Sequence, residues 1–491
     1  MKPDFLQSWK RVVPGITKVL SDVNQKTIIG FGMVPYPRIV PSLFLKNYIV
    51  YAVKDTADLD LLRKYSEFRI FCLEEKFPKA ATKIHAASYL LGNYAFHAFL
   101  KSRPYPFYLL MHRTTLPIVQ KLEQNGLEWI GNHPNTFEDV WLKADFQSFL
   151  KKMGLPALGT TRTSREDFLQ YSFEKASQIW QPPFTVQRLF SETGLEQAPF
   201  VISDKYAWED MIQALSLSQP FLEVQVSPVI QGLSLSTTGC ITPLGVLSSA
   251  LQLQLVNVKE VFAEQQGSNL LVGYDFGFCA WGSHIQTQAQ KITETVGEYL
   301  SQKSYKGVFG INFLYDQRTD QLFGTECIPQ FPEDMHIYSL GLLEQGKVPP
   351  LDFFHIATHL DALGKFDFEA VNAALKERVP LSHIFLAREG IQEMRLALRA
   401  GVYSFDLAQN ALTFQREEAF PWELKSDQEF LMLDSMPRPG KPVIDNVPSI
   451  FKLIIPGSIG ESSSQVKPHT GTLLSVLSKV LREQKGGGTV S

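Results

Sequence analysis

The first quarter of the chain alternates apolar runs with amphipathic segments. TIIGFG and NYIVYAV are apolar enough for buried strands, whereas DTADLDLLRKY has the spacing of an amphipathic helix. FRIFCL, ATKIHAASYLLGNYAFHAFLKS, PFYLLM and TLPIVQKLEQNG continue the same alternation. Strands separated by helices of about a dozen residues indicate a parallel sheet covered by helices. We therefore predict a doubly wound, Rossmann-like α/β domain within residues 1–132.

The remainder of the chain follows a different pattern. A helical segment over residues 138–156 precedes β-like runs, the long helix HIQTQAQKITETVGEYLSQK and the strands GVFGINFLYD and QLFGTECIP. We assign residues 133–365 to a second domain of mixed α+β type and residues 366–456 to a C-terminal α+β region. Residues 457–491 are rich in Gly and Ser, and they read as a flexible tail carrying one amphipathic helix.

Charge and composition argue against several classes of partner and location for this chain. The chain has 491 residues, and 47 Lys and Arg against 50 Asp and Glu give a net charge of −3. This balance supplies no excess positive field for nucleic acid or an anionic membrane. The uncharged run over residues 224–258 contains Pro, Gly and alternating LQLQLVNV, so we predict buried strands there rather than a membrane span. Four cysteines without a C-x-x-C pair favour a cytoplasmic location.

The two strands around residues 307–328 carry the first candidate site. With a turn at residues 318–320, Asn312 lies opposite Glu326 and Gly310 opposite Ile328. Asn312 and Glu326 then share one face, and Cys327 points to the other as a buried structural thiol. A buried carboxylate needs a partner. The hairpin alone does not decide between an ion pair with a lysine or arginine and a bound cation.

Four segments in order resemble the ATP-grasp enzymes, of which biotin carboxylase is an example. WIGNHPNTFEDVWLKADFQSFLKKMGLPALG resembles the opening of their nucleotide-binding part, and FTVQRLFSETGLEQAPFVIS resembles the strand and phosphate loop that follow. FLEVQVSPVIQGLSLST is similar to the adenine-hinge strand and its successor. GVFGINFLYD with FGTECIPQF resembles the closing metal-binding hairpin. The resemblance covers about residues 25–365.

The resemblance implies a site for ATP and Mg²⁺ between two α+β subdomains. Lys143 matches the first phosphate-binding lysine, and the second lysine position falls on Gln187, next to Arg188. The adenine hinge falls on Gln225 and Val226, with Glu223 one strand step earlier; these six residues are the candidate nucleotide contacts. Glu326 matches the metal-bridging glutamate.

Several positions depart from the family pattern. Asn312 stands where the family has a second acidic metal ligand, and together with Glu326 it completes our candidate metal site. Ile328 replaces an asparagine ligand, and Gln330 replaces an arginine. Isoleucine cannot coordinate a hard cation, and neutral amides supply dipoles where the family supplies charges. Further polar residues lie near the site in sequence without a predicted position: Asp275, His284, Glu333, Asp334 and His336.

The resemblance implies an ATP-dependent ligase that joins a carboxylate to an amine, or a similar nucleophile, through an acyl phosphate. The partners are then small-molecule carboxylates and amines, and a homodimer is compatible with the sequence. Two alternatives stay open: a catalytically impaired, nucleotide-binding or regulatory subunit, and an enzyme of CoA or sugar nucleotides built on the first domain. His355 and His359 have zinc-ligand spacing, but H-x-x-x-H lacks the glutamate of H-E-x-x-H, so a plain helix face is the preferred interpretation.

Overall fold

A computed structural model describes residues 5–103, 106–189, 199–217, 223–261, 270–387, 398–438 and 449–483. The chain builds a parallel sheet first, then a small antiparallel sheet, and finally a large antiparallel sheet. This is the mixed α/β and α+β architecture predicted from the sequence.

The first region is a doubly wound parallel sheet with strand order β3-β2-β1-β4-β5. Its central strand β1 pairs in parallel with both β2 and β4, so the chain reverses its winding direction there. The strands are β1 (Thr27–Gly32), β2 (Tyr48–Ala52), β3 (Arg69–Cys72), β4 (Phe107–Leu110) and β5 (Trp129–Ile130). The helices are α1 (Leu6–Val12), α2 (Ile16–Asn24), α3 (Ala57–Arg63), α4 (Leu73–Lys76), α5 (Pro78–Ala81), α6 (Tyr94–Lys101) and α7 (Leu116–Gln124).

The second region carries a small antiparallel sheet with strand order β6-β9-β7-β8. It packs its own apolar core, which includes Phe168, Phe184 and Trp208. Its helices are α8 (Glu138–Trp141), α9 (Lys143–Lys152), α10 (Arg165–Phe168), α11 (Phe173–Trp180) and α12 (Lys205–Leu217). Its strands are β6 (Thr161–Ser164), β7 (Phe184–Leu189), β8 (Phe200–Ile202) and β9 (Glu223–Pro228).

The large antiparallel sheet has strand order β15-β14-β10-β12-β13-β16-β20-β19-β17-β18, with β11 paired to β10. Its first strands are β10 (Leu233–Thr242), β11 (Gly245–Ser248), β12 (Gln252–Val256), β13 (Leu271–Asp275), β14 (Gly307–Asp316) and β15 (Gln321–Ile328). The later strands are β16 (Leu381–Ala387), β17 (Gly401–Asp406), β18 (Ala411–Arg416), β19 (Glu429–Leu433) and β20 (Ser449–Pro456). The uncharged run over 224–258 forms strands β9 to β12, as predicted.

This sheet crosses the domain boundary that we predicted at residue 365. Strand β16 pairs with β13 through Gly273 and Ile384, so the C-terminal region extends the sheet that carries the hairpin β14–β15. The accompanying helices are α13 (Ser283–Gln302), α14 (Met335–Gln345), α15 (Leu351–His359), α16 (Phe368–Leu375) and α17 (Pro468–Glu483). Among the described helices, none is both long and apolar enough to span a bilayer.

The segment after β20 buries apolar side chains as far as Leu481, which corrects the flexible tail predicted for 457–491 over that part. The Asp275 carboxylate accepts hydrogen bonds from the Ser458 hydroxyl at 2.8 Å and from the backbone N–H groups of Ile459 and Gly460 at 2.7 Å each. Helix α17 buries one apolar face through Leu473, Leu474, Leu477 and Leu481. The residues after 483 lie outside the described part of the chain.

Candidate functional site

The hairpin β14–β15 pairs Asn312 with Glu326 and Gly310 with Ile328, as the sequence predicted. The turn itself is one residue longer than predicted, because Asp316 pairs with Gln321. The register then shifts between Asn312 and Phe313, where Thr325 is an extra residue on β15. The longer turn and the bulge compensate each other, so the predicted pairing of the two polar residues is confirmed.

The two faces of this hairpin have different surroundings. Cys327 lies opposite Ile311 and is buried, and burial raises the pKa of its thiol well above the usual value. A Cβ atom on Gly324 would meet Leu150 of α9 at 2.9 Å, so that face packs against the helix. Asn312 and Glu326 lie on the opposite face and remain partly exposed. The structure thus confirms Cys327 as a structural thiol.

Asn312, Glu326 and Lys143 form one polar group. The Asn312 Nδ2 donates a hydrogen bond of 2.9 Å to Glu326 Oε2, and the Lys143 Nζ lies 4.0 Å from the same oxygen. The Lys143 and Glu326 side chains are 25% and 29% exposed, so a ligand can reach both. Glu326 therefore forms an ion pair, one of the two possibilities that the sequence allowed. Its partner is Lys143, the lysine that the family resemblance implies as a phosphate contact.

Gln147, one helical turn after Lys143, holds this helix against the hairpin. Its buried amide donates to the Gly324 carbonyl at 2.7 Å, and its Oε1 accepts from the Leu158 N–H at 2.8 Å. The first contact holds α9 against β15, and the second ties the helix to the segment that follows it. Gln147 is thereby a positioning residue for Lys143.

A row of polar side chains extends from Asn312 across the large sheet. Ser236 lies opposite both Asn312 and Gln252, and the Gln254 Nε2 donates to Asn312 Oδ1 at 2.9 Å. The Ser236 hydroxyl and the Gln252 Oε1 are buried without hydrogen-bond partners among the described residues. Sequence reasoning missed this row. The alternation in LQLQLVNV placed Gln252 and Gln254 on one face, but their strand neighbours come from other parts of the chain.

The strands β7 and β9 hold most of the other candidate nucleotide contacts. Gln187 and Gln225 lie directly opposite each other, whereas Arg188 lies opposite Val224. Because side chains alternate along a strand, Arg188 points away from the face of Gln187. Arg188 is only 7% exposed, and burial lowers the pKa of its guanidinium. Arg188 therefore lies on the face of the small sheet that packs the apolar core, and Gln187 lies on the other face.

The remaining hinge candidates have local partners. Glu223 pairs with Arg162, whose guanidinium also contacts Asp145 of α9 at 3.1 Å. Gln225 donates to the Ser227 hydroxyl at 3.2 Å, and Val226 lies in the core of the small sheet. Arg162 thereby links Glu223 on β9 to α9, the helix that carries Lys143.

The polar residues that the sequence could not place have separate roles. Asp275 anchors the chain after β20, as described above, and His284 pairs with Asp320 at 2.8 Å on the surface. His336 Nε2 lies 3.0 Å from Asp434 Oδ2, which also contacts Lys452 at 2.6 Å. Glu333 is exposed and Asp334 is buried.

His355 and His359 lie on α15 and contact backbone groups at the start of β14. His355 Nδ1 accepts a hydrogen bond from the Val308 N–H at 3.0 Å, and His359 Nε2 lies 3.0 Å from the Lys306 carbonyl. Their rings contribute to packing, because Phe331 stands edge-on to His355 at 4.6 Å. Within the described residues, no group of three or more His, Cys, Asp or Glu side chains is arranged to hold a metal ion.

Comparisons with known proteins place the fold. No protein-family model and no curated protein matches the sequence. Among solved structures, biotin carboxylase from Campylobacter jejuni in complex with a β,γ-ATP ligand is 11% identical, with a TM-score of 0.54 and 89% of each chain covered. L-amino acid ligase from Bacillus licheniformis is 10% identical, with a TM-score of 0.50; the match covers 94% of this chain and 97% of the ligase.

An N5-carboxyaminoimidazole ribonucleotide synthetase bound to ADP is also similar. It is 9% identical, with a TM-score of 0.51, and the match covers 94% of this chain and 98% of the synthetase. These three matches each cover about nine tenths or more of this chain. At such low identity the similarity is one of fold. This chain therefore has the fold of the ATP-grasp superfamily.

Proposed function

We propose that this chain is an ATP-dependent ligase that joins a carboxylate to an amine through an acyl phosphate. The observation that carries the proposal is the Lys143–Glu326 pair, which is partly exposed on the face of the closing hairpin that also carries Asn312. Its support is the fold, since structures similar to this chain include an L-amino acid ligase and enzymes bound to ATP or ADP ligands.

The proposed chemistry proceeds in two steps. A substrate carboxylate oxygen attacks the γ-phosphorus of ATP, and the bond to ADP breaks. The amine nitrogen then attacks the acyl carbon, phosphate leaves with the bonding electron pair, and the amine loses a proton. The transferring phosphoryl group carries negative charge that cations must offset. In this chain Lys143 supplies such a cation, and an arriving phosphate competes with Glu326 for it.

Mg²⁺ enters the proposal through Glu326. Magnesium is commonly held by one or two carboxylates together with phosphates and water, so a single glutamate is compatible with a nucleotide-bound ion. Asn312 turns its amide nitrogen toward Glu326 and its oxygen toward Gln254. In this arrangement Asn312 offers Glu326 a donor instead of a second negative ligand. When bound, Mg²⁺ would offset phosphate charge beside Lys143.

A catalytically impaired nucleotide-binding subunit is the second candidate function. Arg188 is buried opposite Val224, so Gln187 has no cationic substitute on its face of β7. Ile328 offers no oxygen ligand at the position that resembles an asparagine ligand. A protein with these features could bind ATP through Lys143 and still fail to transfer its phosphate.

A thermal-shift assay with ATP, with and without Mg²⁺, tests nucleotide binding. A ligand at a hundredfold excess over its dissociation constant stabilises the folded chain by about 2.7 kcal/mol. Phosphate release is then measured over combined carboxylates and amino acids, with Glu326→Gln as the comparison variant. Turnover in the wild type that Glu326→Gln abolishes supports the ligase. ATP binding without turnover supports the impaired subunit, and absence of ATP binding contradicts both.

The proposal places the reaction in the cytoplasm. Cys72, Cys240, Cys279 and Cys327 are all free thiols in the structure. Free thiols are typical of a reducing compartment, and this is the support for the location.

A further inference from the structure

Arg38 and His112 lie where the parallel sheet reverses its winding direction. Arg38 is six residues beyond the end of β1, and His112 is two residues beyond the end of β4. The Arg38 Nε donates to the Phe31 carbonyl at 3.0 Å, which holds the guanidinium at the carboxyl end of β1. In open parallel sheets, ligands bind in the crevice outside the carboxyl ends of two such strands.

The two side chains contact each other directly. Arg38 Nη1 lies 2.8 Å from His112 Nδ1. A guanidinium carries donors only, so His112 accepts at Nδ1 and its ring proton is on Nε2. Burial lowers the pKa of His112 well below its usual value, and the Arg38 charge lowers it further. The pair therefore presents one cation beside one neutral N–H donor.

Arg38 has no acidic partner within ion-pair distance in the described part of the chain. Its hydrogen bonds go to two backbone carbonyls and to the neutral His112 ring. Asp434 is close enough to influence the pKa of Arg38, but its carboxylate is paired with Lys452 at 2.6 Å. Burial lowers the pKa of Arg38 only to about 10, so the guanidinium stays charged at neutral pH. A desolvated cation without a counter-charge favours the arrival of an anion.

Both side chains keep donors that a ligand can reach. Each side chain is partly exposed. Arg38 Nη2 and His112 Nε2 have no hydrogen-bond partner among the described residues, and neither atom is completely buried. A carboxylate has two acceptor oxygens, and guanidinium N–H groups form charge-assisted hydrogen bonds to it. The free donors of the pair therefore suit a carboxylate.

The position of Arg38 is fixed from several sides. Its backbone carbonyl accepts a hydrogen bond from the Tyr48 hydroxyl at 2.9 Å. A Cβ atom on Gly32 would lie 3.0 Å from Arg38 Nε, so the side chain crosses the strand end where glycine leaves room. The guanidinium is thus held in place before a ligand arrives, which reduces the entropic cost of binding.

The crevice adjoins the closing hairpin. Phe331 donates its backbone N–H to the His112 carbonyl at 3.2 Å, and the two rings stack with centroids 4.4 Å apart. Phe331 is five residues beyond Glu326, so their Cα atoms are at most about 18 Å apart. Pro332 packs on Gly310, since a Cβ atom there would lie 3.0 Å from the proline ring. The segment after β15 therefore connects the crevice to the hairpin face that carries Glu326.

We propose that Arg38 and His112 bind the carboxylate group of an amino-acid substrate. The inference rests on the proposed ligase and names the class of its amine substrate. The carboxylate that becomes phosphorylated has to reach the γ-phosphate at Lys143, so the carboxylate held beside β1 is a second one that does not react. An amine that carries such a carboxylate is an amino acid.

Isothermal titration of the full-length protein tests the subsite. The probes are the proteinogenic amino acids and their C-terminal amides, which lack the carboxylate, each titrated with and without a non-hydrolysable ATP analogue and Mg²⁺. At least one amino acid should bind the wild type, and its amide should bind at least about tenfold more weakly. Arg38→Gln removes the cation and should weaken the same amino acid by a similar factor.

Two further variants keep this test specific. Arg113→Gln removes the exposed arginine next to His112 and should bind the amino acid nearly as the wild type does. His112→Phe keeps a ring stacked on Phe331 but removes both ring nitrogens, and should weaken the amino acid by a smaller factor than Arg38→Gln. It provides a readout of the subsite even if Arg38→Gln fails to fold.

Inorganic phosphate is titrated as a rival ligand, because a guanidinium also binds phosphate groups. Binding of phosphate that depends on Arg38, without binding of any amino acid, overturns the carboxylate assignment. Equal binding of an amino acid and its amide overturns it as well.

The remaining outcomes separate the subsite from the proposed ligase. Binding of no amino acid in either condition, or equal binding by wild type, Arg38→Gln and His112→Phe, overturns the subsite. Absence of binding by the ATP analogue to the wild type overturns the ligase instead. Amino-acid binding that depends on Arg38 without ATP binding would keep the subsite and reject the ligase.

Discussion

Asn312 donates a hydrogen bond of 2.9 Å to Glu326 across the closing hairpin, where the family pattern would place two acidic residues. A pair of carboxylates at this position requires a cation between them, whereas an amide and a carboxylate satisfy each other without one. These two side chains of the hairpin therefore need no cation to balance charge between them. Under the proposed function, phosphate binding would then depend more strongly on Lys143.

Replacing Lys143 by alanine should weaken ATP binding by about 1.5 to 3 kcal/mol, the range of a charge-assisted contact. Calorimetric titration with ATP measures the loss. Lys152→Ala is the matched control, because Lys152 is exposed at the other end of the same helix. Equal affinities in wild type and Lys143→Ala would show that α9 does not contact the phosphates.

Asn312→Asp should convert the hairpin into a site that requires a cation. Two carboxylates opposite each other on adjacent strands repel, so the variant should melt below the wild type in the presence of a chelator. Mg²⁺ should raise its melting temperature more than that of the wild type, since the two carboxylates can share the ion. Sodium chloride at matched ionic strength is the control. A Mg²⁺ response no larger than that of the wild type would argue against a metal position at Glu326.

Helix α17 should contribute to stability despite its place near the end of the chain. Leu474 is fully buried, and Leu474→Ala should lower the free energy of unfolding by about 2 to 5 kcal/mol. Ser475→Ala, at the exposed neighbouring position, should change it by less than about 0.5 kcal/mol. Urea unfolding of both variants measures the difference. Similar stability of the two variants would mean that the helix does not dock in solution.

Acid should destabilise the fold through His336. Burial lowers the pKa of this histidine to about 4. Between pH 6.5 and pH 4 the unfolded chain therefore binds a proton that the folded chain does not, and stability falls as the pH falls. His336→Gln keeps a hydrogen-bond donor for Asp434. Between pH 7 and pH 4.5 its free energy of unfolding should fall by about 2 to 3 kcal/mol less than that of the wild type.

Urea unfolding at the two pH values measures this difference. His284→Gln is the control, because His284 is exposed. Burial raises the pKa of Asp58 to about 7, so this residue acts in the opposite direction, but it is common to both proteins and cancels in the comparison. An identical loss of unfolding free energy in wild type and His336→Gln would show that His336 does not cause the acid destabilisation.

The sequence alone was sufficient for features that depend on neighbouring residues in the chain. Alternation along two strands joined by a short turn placed Asn312 opposite Glu326, because a hairpin brings its strands together locally. The change from helical to strand spacing predicted the parallel sheet around β1 in the same way. The family resemblance added Lys143 to the candidate site. The 4.0 Å distance between its Nζ and Glu326 Oε2 could not be predicted from local sequence patterns.

Only the tertiary structure decided which distant segments meet. The polar row joins Ser236, Gln254 and Asn312 because their strands lie side by side in one sheet. Gln254 and Asn312 are nevertheless 58 positions apart in the sequence. Asp275 holds Ser458 and α17 buries its leucines, although the Gly and Ser content around them suggested a tail. The Gly and Ser content of this segment indicates a high entropic cost of ordering it. Burial and hydrogen bonds to neighbouring parts of the fold offset that cost, and the sequence alone does not show these neighbours.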